Sequence, residues 1–215
     1  GPGETQIETD RRAIRTRISK LKENLRKIES QHTTKSASRK DFLTATLVGY
    51  TNAGKSTLLN RLTSSDVLAE DKLFATLDST TRSFELSKGK TILLSDTVGF
   101  IRKLPHNLVA SFKTTLNVVR DADIIIHVID VTHDFYEDHI RVVEETLNEL
   151  DAQKKTQIKV FNKVDALNDR NRLDVVMSNH PGSIMVSAER GINIGNLKKF
   201  LTEIYEKHFS EVEIE

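Results

Sequence analysis

One glycine-rich segment has the spacing G-x-x-x-x-G-K-[ST], which is typical of a loop that holds phosphate groups. Its members are Gly49, Tyr50, Thr51, Asn52, Ala53, Gly54, Lys55, Ser56 and Thr57. Glycines let backbone N–H groups curl around phosphate oxygens at the start of a helix, where an anion is favoured. In this pattern Lys55 reaches the β- and γ-phosphates, and the Ser56 hydroxyl is a ligand of Mg²⁺. The segment therefore predicts a nucleotide site, and the alternative interpretation is a plain glycine-rich turn.

Two later segments carry groups that can select the base. Asn162, Lys163 and Asp165 end one apolar run, and Ser187 and Ala188 follow the last one. The Asp165 carboxylate can accept from the N1–H and the exocyclic amine of guanine, and adenine offers neither donor. We expect Asn162 to contact the purine from the opposite side and to join the phosphate loop, while the Lys163 stem stacks on the base. Backbone N–H groups from Ser187 onwards are expected to face the guanine O6. The alternative for Asn162 to Asp165, taken alone, is an ordinary turn at a strand end.

Asp96 and Gly99 follow another apolar run and are candidates for the metal and the γ-phosphate. The Asp96 carboxylate can hold Mg²⁺ through water, and the Gly99 N–H can reach the γ-phosphate. A threonine earlier in the chain must close over Mg²⁺ and the attacking water, and the candidates are Thr76, Thr80 and Thr81. We choose Thr76 because its position leaves room for a helix exit, a loop and a complete strand before Asp96.

From residue 41 onwards, short runs rich in Ile and Val alternate with longer helical patterns. Strands are predicted at 42–48, 82–86, 91–95, 123–130, 158–162 and 183–186. Helices are predicted at 55–63, 106–120, 135–151, 166–178 and 194–208. Apolar runs without alternation are typical of parallel strands buried on both faces, and the alternating run 82–86 before a turn predicts an antiparallel edge strand. We therefore predict a doubly wound, mostly parallel α/β sheet at 41–208, followed by a tail at 209–215.

Composition sets the broad class of the protein. The 215 residues include 32 Lys+Arg, 31 Asp+Glu and no cysteine. The absence of cysteine excludes a disulfide scaffold and a cysteine-ligated metal, and it favours a cytoplasmic protein. No run approaches the ~20 apolar residues that cross a bilayer, so we expect no membrane partner. Because the chain begins with glycine and not methionine, we interpret it as a fragment of a longer protein.

Residues 1–40 form a basic arm ahead of this domain. They hold eleven Lys/Arg against five Asp/Glu, a net charge of +6. Apolar residues recur in steps of four and three, which predicts a coiled-coil-like helix with an unpartnered seam. The seam consists of Ile14, Ile18, Leu21, Leu25 and Ile28. The positive charge favours a polyanionic partner such as nucleic acid, and the alternative is an ordinary solvated helix face.

The motif set resembles the translation-factor class of P-loop GTPases, and three segments are similar to the HflX family in particular. These segments are GETQIETDRR at 3–12, LFATLD at 73–78 and DTVGFI at 96–101. The resemblance covers nearly the whole chain. One departure is Ser79, which stands where the family commonly has proline, and this exchange removes no metal ligand.

The resemblance implies a GTP-hydrolysing switch that binds GTP, GDP and Mg²⁺ and associates with the large ribosomal subunit and its RNA, in ribosome splitting or rescue. Catalysis would rest on Lys55 for phosphoryl charge and on Thr76 and Gly99 as sensors of the γ-phosphate. The family also has a further N-terminal domain, so the basic arm would be half of a helical hairpin that links this domain to the GTPase. Two alternatives are a tRNA-modifying or membrane-associated GTPase with the same core, and a nucleotide-dependent scaffold.

Two positions, Phe100 and Asn52, bear on how GTP would be hydrolysed. Many signalling GTPases place a glutamine after the D-x-x-G motif to orient water, but Phe100 stands there, and members of the HflX family also have a hydrophobic residue at this position. In GTPases that potassium activates, an asparagine placed like Asn52 binds K⁺ beside the phosphates. The alternative is that Asn52 only stabilises the loop turn, since asparagine is favoured in turns.

Overall fold

The computed structural model describes residues 42–63, 81–97, 99, 117–167 and 169–212. All of them belong to one compact unit that begins at Phe42. The basic arm at 1–40, Thr76, Thr80, Phe100 and most of the helix predicted at 106–120 lie outside the described ranges.

Six strands form a single sheet in the order β2-β3-β1-β4-β5-β6. Their bounds are β1 Leu43–Val48, β2 Thr81–Ser87, β3 Lys90–Asp96, β4 Ile124–Asp130, β5 Thr156–Asn162 and β6 Ile184–Met185. The β2–β3 pair is antiparallel and every other pair is parallel. The predicted mostly parallel sheet with an antiparallel edge strand is therefore confirmed. Since parallel strands need crossovers, helices alternate with the strands along the chain.

Four helices lie among the described residues, together with a helical turn at 117–121 and a 3₁₀ turn at Val164–Ala166. They are α1 Lys55–Thr63, α2 Tyr136–Glu149, α3 Arg170–Asn179 and α4 Ile194–Val212. No helix in the described ranges is long and apolar enough to cross a membrane.

Two helix boundaries differ from the prediction by four residues, and the bounds of α2 and the end of α3 differ by one or two. The helix predicted from residue 166 begins at Arg170, because a separate 3₁₀ turn comes first and the Asp169 side chain accepts a hydrogen bond from the Asn171 N–H at 2.9 Å. This is a helix N-cap. The last helix continues past residue 208 to Val212, and Phe209 packs against the main core. The segment predicted as a tail is thus partly helical.

The sheet is buried on both faces, as the unbroken apolar runs predict. Along β4, Ile124, Ile126 and Val128 join the cluster that contains the apolar side chains of α1 and α4. Ile125 and Ile129 point to the opposite face, where they pack in two clusters with residues of α2 and α3. Fixing the strands from both sides aligns their carboxyl ends, where the motif residues lie.

Candidate functional site

The glycine-rich loop joins the end of β1 to the start of α1. A Cβ atom at Gly49 would lie 2.2 Å from the Val128 carbonyl oxygen of β4, so no side chain fits there. Gly54 has φ +91°, a conformation that residues with a Cβ rarely adopt. Asn52 is also left-handed, with φ 62°, which asparagine tolerates better than most residues. The loop geometry thus accounts for both glycines of the motif.

Lys55 lies inside this loop and is buried. Its Nζ donates to the carbonyl oxygens of Gly49 at 3.1 Å and Tyr50 at 3.0 Å. Burial lowers the pKa of Lys55 from 10.5 to about 8, although the nearby Asp96 charge acts in the opposite direction. The ammonium group is therefore held at the phosphate loop in a poorly solvated place, where an anion would be strongly attracted.

Ser56 and Asp96 come together across the loop. The Ser56 hydroxyl donates to Asp96 Oδ2 at 2.6 Å, and Asp96 is 2% exposed at the end of β3. The next residue, Thr97, is fixed by a hydrogen bond from its hydroxyl to the Leu47 carbonyl oxygen at 2.7 Å. A Cβ atom at Gly99 would lie 2.7 Å from Thr51 Cα, so the D-x-x-G segment packs directly against the glycine-rich loop.

The donor chemistry of this pair fits Mg²⁺. Magnesium prefers hard oxygen ligands, and at nucleotide sites it takes only one or two of them from the protein because water and phosphate supply the rest. Ser56 and Asp96 offer one hydroxyl and one carboxylate. In the described part of the chain no three His, Cys, Asp or Glu side chains cluster in a way that could hold a metal ion without such help.

Asn162 links three parts of the site. Its Nδ2 donates to the Ala53 carbonyl oxygen of the phosphate loop at 3.0 Å. Its Oδ1 accepts from the Ala188 N–H at 2.9 Å. Asn162 is 3% exposed, so water competes little for these two bonds. The phosphate loop and the segment after β6 are therefore joined through a single amide.

The carboxylate of Asp165 lies at the same end of the sheet. A hydrogen bond with the Ser187 side chain is the main reason why the pKa of Asp165 is lowered, and Arg190 adds to the effect. The Arg190 Nε lies 3.3 Å from Asp165 Oδ2. Lys163 adopts a left-handed backbone with φ 68°, and its Nζ lies 2.8 Å from Asp130 Oδ2 at the end of β4. Asp165 is therefore kept ionised and fixed, as recognition of N–H donors requires.

Comparison with known proteins places this geometry in a family. A family model described as 50S ribosome-binding GTPase matches residues 44–163, and one described as GTP-binding GTPase Middle Region matches 1–39. A GTPase HflX from Caldanaerobacter subterraneus is 46% identical over 216 residues, covering 100% of this chain and 48% of the relative. Another, from Flavobacterium psychrophilum, is 54% identical over 166 residues, covering 77% of this chain and 40% of the relative. The chain belongs to the HflX family of GTPases. It spans less than half the length of these two HflX relatives.

A solved structure supports the same fold for the HflX-family chain. A GTP-binding protein from the archaeon Sulfolobus solfataricus, in complex with GDP, superimposes with a TM-score of 0.63 at 25% identity. The match covers 83% of this chain and 57% of the archaeal one. The resemblance to the HflX family that the sequence motifs indicate is therefore confirmed, and so is the P-loop GTPase fold.

The structure brings most of the motif residues of this HflX-family GTPase to one edge of the sheet. The phosphate loop, Asp96, Gly99, the Asn162–Asp165 segment and Ser187–Ala188 are all among the described residues. Thr76 lies outside them. One detail differs from the expected orientation, since the Ala188 N–H donates to Asn162. The roles of these residues toward a nucleotide stay predictions.

Four contacts around the site were not anticipated from the HflX-family sequence. Arg61 of α1 donates to carbonyl oxygens after β6, Asp130 pairs with Lys163, and Arg190 pairs with Asp165. The Tyr50 ring stacks on His139 of α2 with the ring centroids 3.7 Å apart. The pairing of Asp130 with Lys163 could have been predicted, because Asp130 stands at the carboxyl end of a predicted strand, where site residues of such sheets lie. The other three partners lie far apart in the sequence, and nothing local marks them.

Proposed function

We propose that this chain is a Mg²⁺-dependent switch that binds GTP and GDP and hydrolyses GTP. The observation that carries the proposal is the double hydrogen bond of Asn162, which joins a phosphate loop to a guanine-type base segment. A phosphate loop alone would suit many nucleotides. The Asn162 link reaches Ala188, whose neighbour Ser187 hydrogen-bonds Asp165, and the Asp165 carboxylate would read the N–H donors that distinguish guanine from adenine.

At the phosphate end, the proposed roles follow from charge and position. Lys55 would neutralise the β- and γ-phosphates, since its ammonium already lies within the loop. Ser56 would ligate Mg²⁺ directly and Asp96 through water, and the bound ion would neutralise charge that develops on the phosphates. Gly99, packed against Thr51, would sense the γ-phosphate with its N–H group. Thr76 is proposed to close over the ion in the same state.

At the base end, Asp165 would accept from the N1–H and the amine of guanine. Lys163 would lay its stem on the base while its ammonium stays paired with Asp130. The Asn162 amide would use its second N–H donor or its second acceptor lone pair to contact the purine edge. N–H groups in the segment that starts at Ser187 would face O6. Since Arg190 also contacts Asp165, this contact has to adjust when a guanine base arrives.

Hydrolysis needs a cation that neutralises the charge developing between the β- and γ-phosphates. The residue after the D-x-x-G motif is Phe100, which has no polar group to orient the attacking water. We propose that K⁺ bound at Asn52 provides this cation, as the loop asparagine suggests. The left-handed backbone of Asn52 offers a sufficient reason for asparagine by itself, which is the competing explanation.

The partner proposed for the whole protein is the large ribosomal subunit, with ribosomal RNA contacted by the basic arm. The match to a family described as 50S ribosome-binding GTPase and the net charge of +6 on residues 1–40 support this partner. A role in ribosome splitting or rescue would follow if GTP and GDP favour different bound states. Such a protein works in the cytoplasm.

Single-turnover GTP hydrolysis with and without purified large ribosomal subunits tests this function. We expect slow hydrolysis by the protein alone, a clear increase with subunits, and loss of both rates in Lys55→Ala. ATP in place of GTP is the matched substrate control and should not be turned over. Hydrolysis that subunits leave unchanged would contradict the ribosomal part and favour a nucleotide-dependent scaffold. Equal turnover of ATP would contradict the whole proposal.

A further inference from the structure

Arg61, in the last turn of α1, reaches across to the segment that follows β6. Its Nε donates to the Ala188 carbonyl oxygen at 2.8 Å, and its Nη2 donates to the Glu189 carbonyl oxygen. The two residues lie 127 and 128 positions from Arg61 in the chain. A planar guanidinium can bind two neighbouring carbonyls at once, whereas a lysine ammonium acts as a single point charge. The contact therefore fixes the direction of two successive peptide groups.

The segment that Arg61 holds is a short closed loop. Ser187 and Ile192 exchange two backbone hydrogen bonds, at 3.1 and 3.0 Å, which close the loop at its base. Within it, the Arg190 N–H donates to Ser187 Oγ at 3.0 Å, and Gly191 turns the chain with φ +71°. The loop base is thus ordered by its own bonds, and Arg61 orders the residues that come directly after Ser187.

Both polar backbone groups of Ala188 are consequently held from outside the loop. Its N–H donates to Asn162 Oδ1 and its C=O accepts from Arg61. Asn162 in turn donates to Ala53, which leads through Gly54 into α1. The result is a closed ring of contacts from the phosphate loop through Asn162 and Ala188 to Arg61, and back along α1.

We propose that Arg61 is a positioning residue for base recognition. The Ser187, Ala188 and Arg190 N–H groups already donate within the protein. By holding the Ala188 carbonyl, Arg61 orients the Glu189 N–H of the same peptide group toward the guanine O6, and it couples the base loop to the phosphate loop through α1. The inference rests on the proposed guanine recognition and adds a residue to it that touches neither base nor phosphate. Asp165 does not depend on Arg61 in this way, because Ser187, Arg190 and its own backbone hold it.

The contact has a modest role in folding. Arg61 is exposed, so in Arg61→Ala water can replace the guanidinium at the freed carbonyl oxygens. We therefore expect nearly unchanged thermal stability and a roughly tenfold rise in the Kd for GDP, as for the loss of one well-oriented polar contact. Arg61→Lys should lie closer to Arg61→Ala than to the unmodified protein, because a compact ammonium lacks the planar fork whose Nε and Nη2 match the two carbonyls.

Competition binding with three diphosphates tests the proposal. GDP carries all base groups, IDP lacks the amine that Asp165 reads, and 6-thio-GDP keeps the N1–H and the amine but has sulfur, a weak hydrogen-bond acceptor, in place of O6. In Arg61→Ala the preference for GDP over 6-thio-GDP should largely disappear, while the preference for GDP over IDP persists. Arg120→Ala is the matched control. Arg120 is also an exposed arginine, but it precedes Asp121, whose carbonyl oxygen accepts from Thr44 at the start of β1, the end of the strand away from the phosphate loop.

The unmodified protein tests whether O6 is recognised at all, and the Arg61→Ala variant tests whether Arg61 contributes to that recognition. If the unmodified protein binds GDP and 6-thio-GDP alike, the proposed reading of O6 fails, and the role of Arg61 fails with it. If the unmodified protein discriminates and Arg61→Ala discriminates equally well, only the role of Arg61 is overturned. An equal loss of affinity for all three diphosphates would also overturn it, since that pattern marks a general structural defect.

Discussion

Protonation of Lys55 is predicted to be coupled to nucleotide binding. Burial at the phosphate loop lowers the pKa of Lys55 to about 8 in the nucleotide-free protein. A bound polyphosphate would surround the ammonium with negative charge and raise its pKa again. The bound state then holds more protons than the free state, so affinity is full below pH 8 and falls as the pH rises through that value.

The magnitude follows from the two protonation states. If binding restores the ordinary value of 10.5, the difference from about 8 corresponds to about 3 kcal/mol, or on the order of a hundredfold in Kd at high pH. Guanine loses its N1–H at high pH, so the test uses lower pH values, where the change in Kd is smaller. From about pH 7 to about pH 8.5 the Kd for GDP should rise about fourfold, with uptake of about half a proton at pH 8.

Isothermal titration calorimetry in two buffers of different ionisation enthalpy measures this proton uptake. Lys55→Met is the control, because it removes the titrating amine and keeps a side chain of similar length. The unmodified protein should take up protons at pH 8 and the variant should not. Proton uptake of the same size in both proteins, or none in either, would refute the link between the burial of Lys55 and phosphate binding.

Two further predictions concern activation and the ribosome. Turnover measured in matched KCl and NaCl should be faster in K⁺ for the unmodified protein and equal in the two salts for Asn52→Ala; equal rates in the unmodified protein would leave Asn52 as a turn residue only. Deletion of residues 1–40 should flatten the salt dependence of ribosome binding, because each phosphate contact contributes about −0.7 to −0.9 to the log–log slope, while nucleotide affinity is unchanged. An unaltered slope would favour a solvated helix face for the arm.

Local signals in the sequence predict much of the fold. The helix predicted at 55–63 and the observed α1 coincide because the phosphate loop fixes where the helix begins. The six-residue strand that ends at Val48 and the run before Asp130 are buried on both faces, and burial of that kind leaves a mostly apolar pattern without alternation. The start of α3 is predicted less well than the start of α1. Apolar residues three positions apart suit both a 3₁₀ turn and an α-helix, so the sequence does not separate the turn at Val164–Ala166 from the helix that begins at Arg170.

The part of the site that the sequence did not predict consists of long-range contacts. Arg61 has the character of an ordinary exposed helix residue, and only the folded chain shows that it lies beside Ala188. The pairing of Arg190 with Asp165 and the stacking of Tyr50 on His139 are of the same kind. Motif spacing predicts which groups would meet the nucleotide, but the contacts that hold those groups depend on how α1, α2 and the last loop pack around the sheet.

Base selectivity in Asp165→Asn tests the central claim most directly. The claim is that Asp165, fixed by Ser187 and Arg190, accepts from the N1–H and the amine of guanine. Competition binding should show that the unmodified protein prefers GDP over XDP and ADP. In Asp165→Asn, affinity for GDP should fall by about ten- to a hundredfold, and XDP should become the preferred ligand, because its C2 oxygen can accept from the new amide. Unchanged preference for GDP in the variant, or equal binding of GDP and ADP by the unmodified protein, would contradict the claim.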